Sequence, residues 1–333
     1  MSNIKFSVIM PCYNSKDYVK NAVDSVANQT YDNWELILVN DGSTDGTFDI
    51  LNSYAASDSR IVVFSKENGG YATAVNAGLE KISGDYFMMM GSDDTLDVNL
   101  FDNLSNSIKQ SECKALPDCI SFKTHIILDG NTEEPESFSE ISKQLYVTDI
   151  SFKAFYDNYR DFAKIYTIRD TSKCFNVKLL GNVRYYGKTG VSADSAFSLT
   201  IAHKAHSFLC VPVVGYYWSL RSDSVSATCS ETKLVEVISN WVRYFSSVES
   251  YDYSEITEPE VGYLSVPSHL IVELSTDYDN AVKYRSFIKE NGKLLKKLSK
   301  KYPNAKLHRC LNFAVLSPTL FAVFYKIKRL FDK

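Results

Sequence analysis

The chain has 333 residues, of which 45% are hydrophobic and 13% aromatic. This composition is typical of a soluble globular protein with one large or two modest domains. Its seven cysteines are scattered, odd in number and without a CxxC pair, so neither a disulfide framework nor a zinc site is indicated. The opening MSNIKFSVIMP lacks the pattern of a secretory signal, which predicts a cytoplasmic protein.

The formal net charge of -4 hides an uneven distribution of charge along the chain. Residues 281–333 contain 14 Lys and Arg residues against 2 acidic ones, a net +12, whereas residues 1–280 carry -16. The basic stretch leads into LNFAVLSPTLFAVFYKIKRLF, which Pro318 interrupts before the ~20 apolar residues that a spanning helix needs. We therefore expect residues 283–333 to bind an anionic membrane surface at the inner face of the cell membrane. A solvated helical face, or packing on the body or a second subunit, remains an alternative.

The first hundred residues alternate apolar runs with helical patterns. The runs KFSVIM, WELILVN, RIVVFS and DYFMMM predict four buried strands. Between them, SKDYVKNAVDSVANQ, STDGTFDILNSYAA and GYATAVNAGLEKI predict three helices, the first behind Ser15 as its N-cap. Buried strands separated by helices predict an α/β fold, with a mostly parallel sheet covered on both faces.

The middle of the chain is less regular. DCISFKTHIIL and LCVPVVGYYWSL predict strands, NTEEPESFSE an exposed loop and ADSAFSLTIAHKAHSF a helix. From Glu231 onward the pattern is helical, most clearly in KLVEVISNWVRYFSSV. The C-terminal third is therefore expected to be a helical extension.

Polar stretches, three of them containing glycine, follow the first four predicted strands. They are Pro11-Cys12-Tyr13-Asn14, Asn40-Asp41-Gly42-Ser43, Glu67-Asn68-Gly69-Gly70 and Gly91-Ser92-Asp93-Asp94. Because the carboxyl ends of parallel strands share one edge, these stretches should lie together at the ligand site of the sheet.

The residue types at this edge suit a nucleoside diphosphate. Tyr13 offers a flat face for stacking, Asp41 a hydrogen-bond acceptor, and Asp93 with Asp94 oxygen ligands for Mg or Mn beside the phosphates. The first turn has Pro11 and no GxGxxG, and no GxxxxGK[ST] loop follows, so phosphate binding is expected to depend on the metal. The competing interpretation is that Ser-Asp-Asp only begins a helix, with Asp94 the better candidate for its cap.

Two segments together resemble a known family. FSVIMPCYNSKDYVKNAVDSVANQTYDNWELILVNDGSTDGT and ENGGYATAVNAGLEKISGDYFMMMGSDD closely resemble the nucleotide-binding half of the family 2 glycosyltransferases, which have the GT-A fold. The resemblance implies a nucleotide-sugar-binding half over residues 1–110 and an acceptor-binding half over 111–228. A helical C-terminal region with the basic tail would follow over 229–333.

The resemblance also implies roles for residues in the first half. Tyr13 would stack on the base, Pro11 would give backbone contacts beside it, and Asp41 would bind the base edge, usually uracil. Asp93 would be the last carboxylate of the family's Asp-x-Asp motif and the metal ligand, while Asp94 would help to order the nucleotide site.

In the second half, the resemblance places the general base at Asp194. Three positions depart from the family's usual pattern: Gly91 replaces the first motif Asp, Ala193 replaces a Glu, and Val75 replaces an Arg. Lys173 stands beside the acceptor half, and whether it contacts substrate is left open.

The expected activity is that of an inverting, metal-dependent glycosyltransferase of the hexosyltransferase type. It would use Mn or Mg and move a sugar from a nucleotide diphosphate donor, a UDP-sugar by preference, to a hydroxyl of a glycan or lipid-linked glycan. Bacterial polysaccharide assembly would be its setting, and no nucleic-acid partner is expected. The alternatives are a non-catalytic sugar-nucleotide binder or scaffold, and, third, a nucleotidyltransferase.

Overall fold

A computed structural model describes residues 3–111, 115–128, 131–133, 143–159, 162, 169–220, 231–248, 266–268, 270–299 and 305–331. The chain divides into two compact units, residues 1–228 and residues 229–333. The division expected at residues 110 and 111 lies inside the first unit and stays a prediction.

The first unit contains one large sheet. Its strands are β1 Phe6–Cys12, β2 Trp34–Asp41, β3 Ile61–Lys66, β4 Tyr86–Met89, β5 Thr95–Leu96, β6 Cys119–Leu128, β7 Asn131–Glu133, β8 Leu145–Thr148, β9 Lys173–Asn176 and β10 Ser207–Leu220. They are ordered β3-β2-β1-β4-β9-β6-β10-β5, with β7 beside β6 and β8 beside β10.

The four strands predicted from the first hundred residues form the parallel part of this sheet. β2 pairs with β1 and β3, and β4 lies on the other side of β1, all in parallel. Every residue of β1 is buried, as expected for a strand covered on both faces. Chain order reverses between β1 and β4, and open α/β sheets bind ligands at such switch points.

The rest of the sheet is mixed, because β9 runs antiparallel to both β4 and β6. The amino end of β9 therefore lies toward the carboxyl end of β4. The strands predicted at β6 and β10 are confirmed. The predicted exposed loop NTEEPESFSE is corrected in part: residues 131–133 form β7, and the remainder lies outside the described residues.

Six helices of the first unit are described. They are α1 Val19–Ala27, α2 Thr47–Ser57, α3 Tyr71–Leu79, α4 Leu100–Gln110, α5 Phe152–Asn158 and α6 Ala193–Ala202. The predicted N-cap Ser15 is wrong, since α1 begins at Val19 and no side chain caps it. The Ser15 hydroxyl instead lies 2.7 Å from the Ser92 hydroxyl, in the loop after β4.

The second unit is helical, as predicted from residue 231 onward. Its helices include α7 Glu231–Val248, α8 Tyr278–Lys283, α9 Arg285–Ser299, α10 Ala305–Leu316 and α11 Pro318–Phe331. Residues 266–268 and 270–274 are helical too. Pro318 begins α11, where its missing N–H costs no hydrogen bond. None of the helices in the described segments combines the length and the apolarity needed to cross a membrane.

Candidate active site

Hydrogen bonds join the loops that follow β1 and β2. The Asn14 amide donates to the Ser43 hydroxyl at 3.1 Å, and the Thr44 amide donates to Asn14 Oδ1 at 2.9 Å. The Ser15 amide donates to Thr47 Oγ1 at 2.8 Å, at the start of α2. Asn14 has a φ of 48°, a left-handed conformation that Asn tolerates better than most residues. The two loops therefore form one connected rim.

Tyr13 lies exposed on this rim, two residues after the buried Pro11. The Tyr13 side chain is 52% exposed, whereas Pro11 is buried within β1 and pairs with Val39 of β2. An exposed aromatic face beside the strand switch is available for base stacking. These placements agree with the predicted nucleotide contacts without testing them.

Asp41 is buried and holds the loop after β3. Asp41 Oδ1 accepts from Lys66 Nζ at 2.6 Å and from the Gly69 amide at 3.0 Å. Asp41 Oδ2 accepts from the Gly70 amide at 2.8 Å. Only 3% of the Asp41 side chain is exposed, so the carboxylate makes these contacts inside the protein. Its contact with a base stays a prediction, while the structural role of Asp41 is visible.

Asp94 is anchored to β10. The Tyr216 hydroxyl donates to Asp94 Oδ2 at 2.5 Å, and the Ser219 amide donates to Asp94 Oδ1 at 2.9 Å. The Gly91 amide in turn donates to the Tyr216 hydroxyl at 3.1 Å. The predicted helix cap at Asp94 is wrong, because α4 begins at Leu100 and Asp94 is turned into the protein.

Gly91 leaves room for two carboxylates. A Cβ atom at Gly91 would lie 2.5 Å from Asp94 Oδ2 and 2.8 Å from Asp93 Oδ1. Real Cβ contacts are essentially never that short, so a side chain here requires both carboxylates to shift. Glycine at position 91, in place of the family's first motif aspartate, therefore allows Asp93 and Asp94 to take these positions.

Asp93 lies half-buried on the same loop, at the edge where the metal was predicted. Within the described residues, no three His, Cys, Asp or Glu side chains gather as a metal cage. Mg and similar cations are commonly held by one or two carboxylates together with substrate phosphate oxygens. The donor set around Asp93 fits that kind of shared site.

Asp194 lies in the first turn of α6. Its Oδ1 accepts from the Ser195 hydroxyl at 3.3 Å. Burial raises the pKa of Asp194 above its usual value, while the Ser195 amide and the Arg169 charge oppose that rise. Ser192, which precedes the helix, has a left-handed φ of 60°. A carboxylate at a helix N-terminus, with a raised proton affinity, has the properties of a general base.

Tyr71, the first residue of α3, is a phenol on which carboxylates from several parts of the chain act electrostatically. Burial raises the pKa of Tyr71 well above its usual value, and the charges of Asp170, Asp194, Asp94 and Asp93 raise it further. All four carboxylates therefore lie within electrostatic range of one phenol.

Several residues of this site had no signal in the sequence. Tyr216 resembles an ordinary core residue of a strand, and only its pairing partner Asp94 reveals its role. Asp170 lies just before β9, whose position follows from pairing and not from any local pattern. Lys173, already a candidate from the sequence, begins the same strand. Lys173 is fully buried, which leaves it no direct substrate contact in this structure. Tyr71 follows two glycines and resembles a helix start.

Two of the positions that depart from the family pattern lie in the protein interior. Val75 and Ala193 are both buried, with 0% and 2% of their surface exposed. The family pattern has an arginine at the position of Val75 and a glutamate at that of Ala193, whereas in this chain both positions hold buried apolar side chains.

Solved structures share this fold along almost the whole chain. TarS 1–349 of S. aureus, solved with UDP-GlcNAc, aligns over 98% of this chain and 92% of its own length, with a TM-score of 0.69 and 18% identity. The mannosyltransferase PcManGT from Pyrobaculum calidifontis, solved with GDP-Man and Mn2+, aligns over 98% of this chain and 87% of its own, with a TM-score of 0.50 and 16% identity. The mixed sheet with its carboxylates at the switch point defines a domain of the GT-A class.

The family follows from sequence. Residues 7–146 match the family described as glycosyl transferase family 2. Glycosyltransferase GlyA of Streptococcus pneumoniae serotype 4 is 30% identical over 240 residues, 68% of this chain and 32% of GlyA. The chain belongs to glycosyltransferase family 2. It spans about a third of the length of GlyA and of other curated relatives that it matches.

Proposed function

We propose that this chain transfers a sugar from a nucleotide diphosphate donor, a UDP-sugar by preference, to a hydroxyl of a glycan or lipid-linked glycan. The observation that carries the proposal is the shared environment of Tyr71. There Asp194 and the switch-point carboxylates Asp93 and Asp94 each act electrostatically on the same phenol. A base for an acceptor and an anionic edge for a metal-bound diphosphate are the two parts that glycosyl transfer needs.

The donor preference rests on the rim after β1 and on one neighbour. Tyr13 offers an exposed ring for a nucleobase. TarS, a structural neighbour with this fold, was solved with UDP and with UDP-GlcNAc. A UDP-sugar is therefore the first donor class to test.

In the proposed reaction, Asp194 accepts the proton of the acceptor hydroxyl as its oxygen attacks the anomeric carbon. The bond from the anomeric carbon to the diphosphate oxygen breaks, the electron pair leaves with the diphosphate, and one displacement inverts the configuration. Asp93 would hold Mg or Mn, and a bound cation would stabilise the charge of the leaving diphosphate. Asp94 and Tyr216 keep the Asp93 loop in place.

A donor screen tests this function. The protein is incubated with UDP- and GDP-sugars and Mn or Mg, with and without EDTA, and nucleoside diphosphate release is followed. The proposal predicts release from one donor class that EDTA abolishes. Absence of both hydrolysis and transfer over a broad acceptor panel would contradict it.

One observation favours a second candidate, a non-catalytic sugar-nucleotide-binding or scaffold protein. Gly91 stands where the family usually has a carboxylate for the proposed metal site. Asp93 and Asp94 occupy the space that a side chain at position 91 would need. Calorimetry that shows UDP binding without turnover of any donor would support this candidate over the enzyme.

The membrane partner is proposed from the second unit. Leu316, Leu320 and Val323 are 74%, 62% and 44% exposed along the end of α10 and α11. The surrounding sequence, residues 281–333, has a net charge of +12. Exposed apolar side chains within a basic segment support binding to the surface of an anionic membrane. That surface would bring the chain to a lipid-linked acceptor at the inner face of the cell membrane.

A further inference from the structure

Asp170 is a second carboxyl group, and the charge of the proposed base Asp194 acts on it. It lies three residues before Lys173, which begins β9, and β9 runs antiparallel to β4. That direction carries Asp170 toward the carboxyl end of β4, where the Gly91–Asp94 loop lies. Asp170 is 1% exposed, and its Oδ2 atom has no hydrogen-bond partner in the described part of the chain.

The two carboxyl groups are not equivalent. Asp194 is half-buried in the first turn of α6, where the helix N-terminus stabilises an anion, and the Ser195 hydroxyl donates to it. Asp170 is more deeply buried, and one of its oxygens lacks a donor. Two neighbouring carboxyl groups do not both ionise readily, and the proton goes to the one whose charge is less well solvated. Here that group is Asp170.

We propose that Asp170 is a positioning residue for Asp194: it holds the proton of this carboxyl pair, so that Asp194 enters the reaction as the carboxylate. The inference deepens the proposed function, because it assumes that Asp194 is the base. Asp170 itself touches no substrate. Its protonated form leaves a single negative charge in the pair, which keeps Asp194 able to accept the acceptor's proton.

The charges around Asp170 agree with this assignment. Burial, and then the charge of Asp194, raise the pKa of Asp170 to about 8, while the Lys173 charge opposes the rise. Burial lowers the pKa of Lys173 to about 7, so this cation is only partly present at neutral pH. Among the described residues, Arg169 and Tyr71 also interact electrostatically with the pair, and Asp93 and Asp94 act on Tyr71. Near pH 7 Asp170 therefore keeps its proton.

Infrared spectroscopy of the full chain tests the proton directly. We expect a carboxylic-acid C=O band at pH 7 that disappears as the pH passes about 8. Asp170→Asn should remove this band. Asp194→Asn should lower the midpoint at which it titrates, by about one pH unit, because a neighbouring negative charge is lost. Lys173→Met, which removes a cation, should raise that midpoint.

The wild-type spectrum alone can overturn the inference, even if a variant fails to fold. If no acid band is present at pH 7, Asp170 is ionised and the proposal is wrong. If the band is present but its midpoint is the same in folded Asp194→Asn, the two carboxyl groups are not coupled and the proposal is also wrong. The bands require no substrate, so they are read independently of the donor screen. A coupled band without donor turnover would refute the proposed function and leave the carboxyl pair intact.

Discussion

Asp94 fills the space that a side chain at Gly91 would need: a Cβ atom on Gly91 would lie 2.5 Å from Asp94 Oδ2. The inward pose of Asp94, bonded to Tyr216 and to the Ser219 amide, therefore depends on glycine at position 91. Restoring the family's usual aspartate would not simply add a ligand.

The first prediction concerns that substitution. Gly91→Asp should displace Asp94, lower the free energy of unfolding by about 1–3 kcal/mol through lost buried hydrogen bonds, and reduce donor turnover. Gly91→Asp combined with Asp94→Ala should cost less than the sum of the two single changes, because the clash is relieved. Urea denaturation of the four proteins measures this coupling. Additive costs would show that the two positions do not compete for space.

The second prediction concerns the tyrosine that holds Asp94. Tyr216→Phe removes the hydroxyl that donates to Asp94 and accepts from Gly91. The loss should lower the free energy of unfolding by about 1–3 kcal/mol. The matched control is Tyr217→Phe, at the next, half-buried residue of the same strand, with an expected change within about 0.5 kcal/mol. Equal effects at the two positions would contradict the proposed anchor.

The third prediction is a pH dependence of stability. Asp170 has a raised pKa, so the folded state holds a proton there that the unfolded chain releases above its usual pKa of 3.8. Between about pH 4 and 8 the native state binds the additional proton, so this group makes the wild type progressively less stable as pH rises. Asp170→Asn removes that dependence. Its free energy of unfolding should therefore rise relative to that of the wild type as the pH increases over this range. Urea denaturation at pH 5 and pH 7 checks it, and a constant difference would argue against a raised pKa.

The fourth prediction concerns membrane binding. Leu320→Asp with Val323→Asp should reduce sedimentation with anionic vesicles, because it places charge on the exposed apolar side chains of α11. The matched control is Val62→Asp with Val98→Asp, which adds the same charge at valines 38% and 42% exposed in the first unit. Equal losses of sedimentation in the two double variants would show that net charge causes the effect. If neither variant lost sedimentation, α11 would not be the membrane-binding surface.

The sequence predicts the parallel half of the sheet well because its signal is local. The apolar run around Val8 and the helical spacing of Val19, Ala22 and Val23 each lie within one element, and all four residues are buried. The carboxylates after β4 were recognisable by their position at a strand end. These features need no knowledge of distant pairing.

The remainder of the site depends on contacts between distant parts of the chain. Asp94 was expected to cap a helix, but its partner Tyr216 lies 122 residues away. β9 inserts between β4 and β6, and only that insertion brings Asp170 toward the edge. Ser15 was expected to cap α1, yet its hydroxyl meets Ser92 across 77 residues. Propensity and periodicity carry no information about such pairs.

The fifth prediction tests the central claim, that Asp194 is the base of a sugar transfer. Asp194→Asn keeps the shape of the side chain but removes its ability to take a proton. Asp49→Asn, at an exposed aspartate in the first turn of α2, is the matched control.

The deciding measurement is the turnover rate of wild type and both variants with the donor found in the screen, beside calorimetry of UDP binding. The account predicts that Asp194→Asn lowers kcat by about 10²–10⁴-fold while UDP affinity and the Asp49→Asn rate stay near those of the wild type. A folded Asp194→Asn protein that turns over at the wild-type rate would contradict the account.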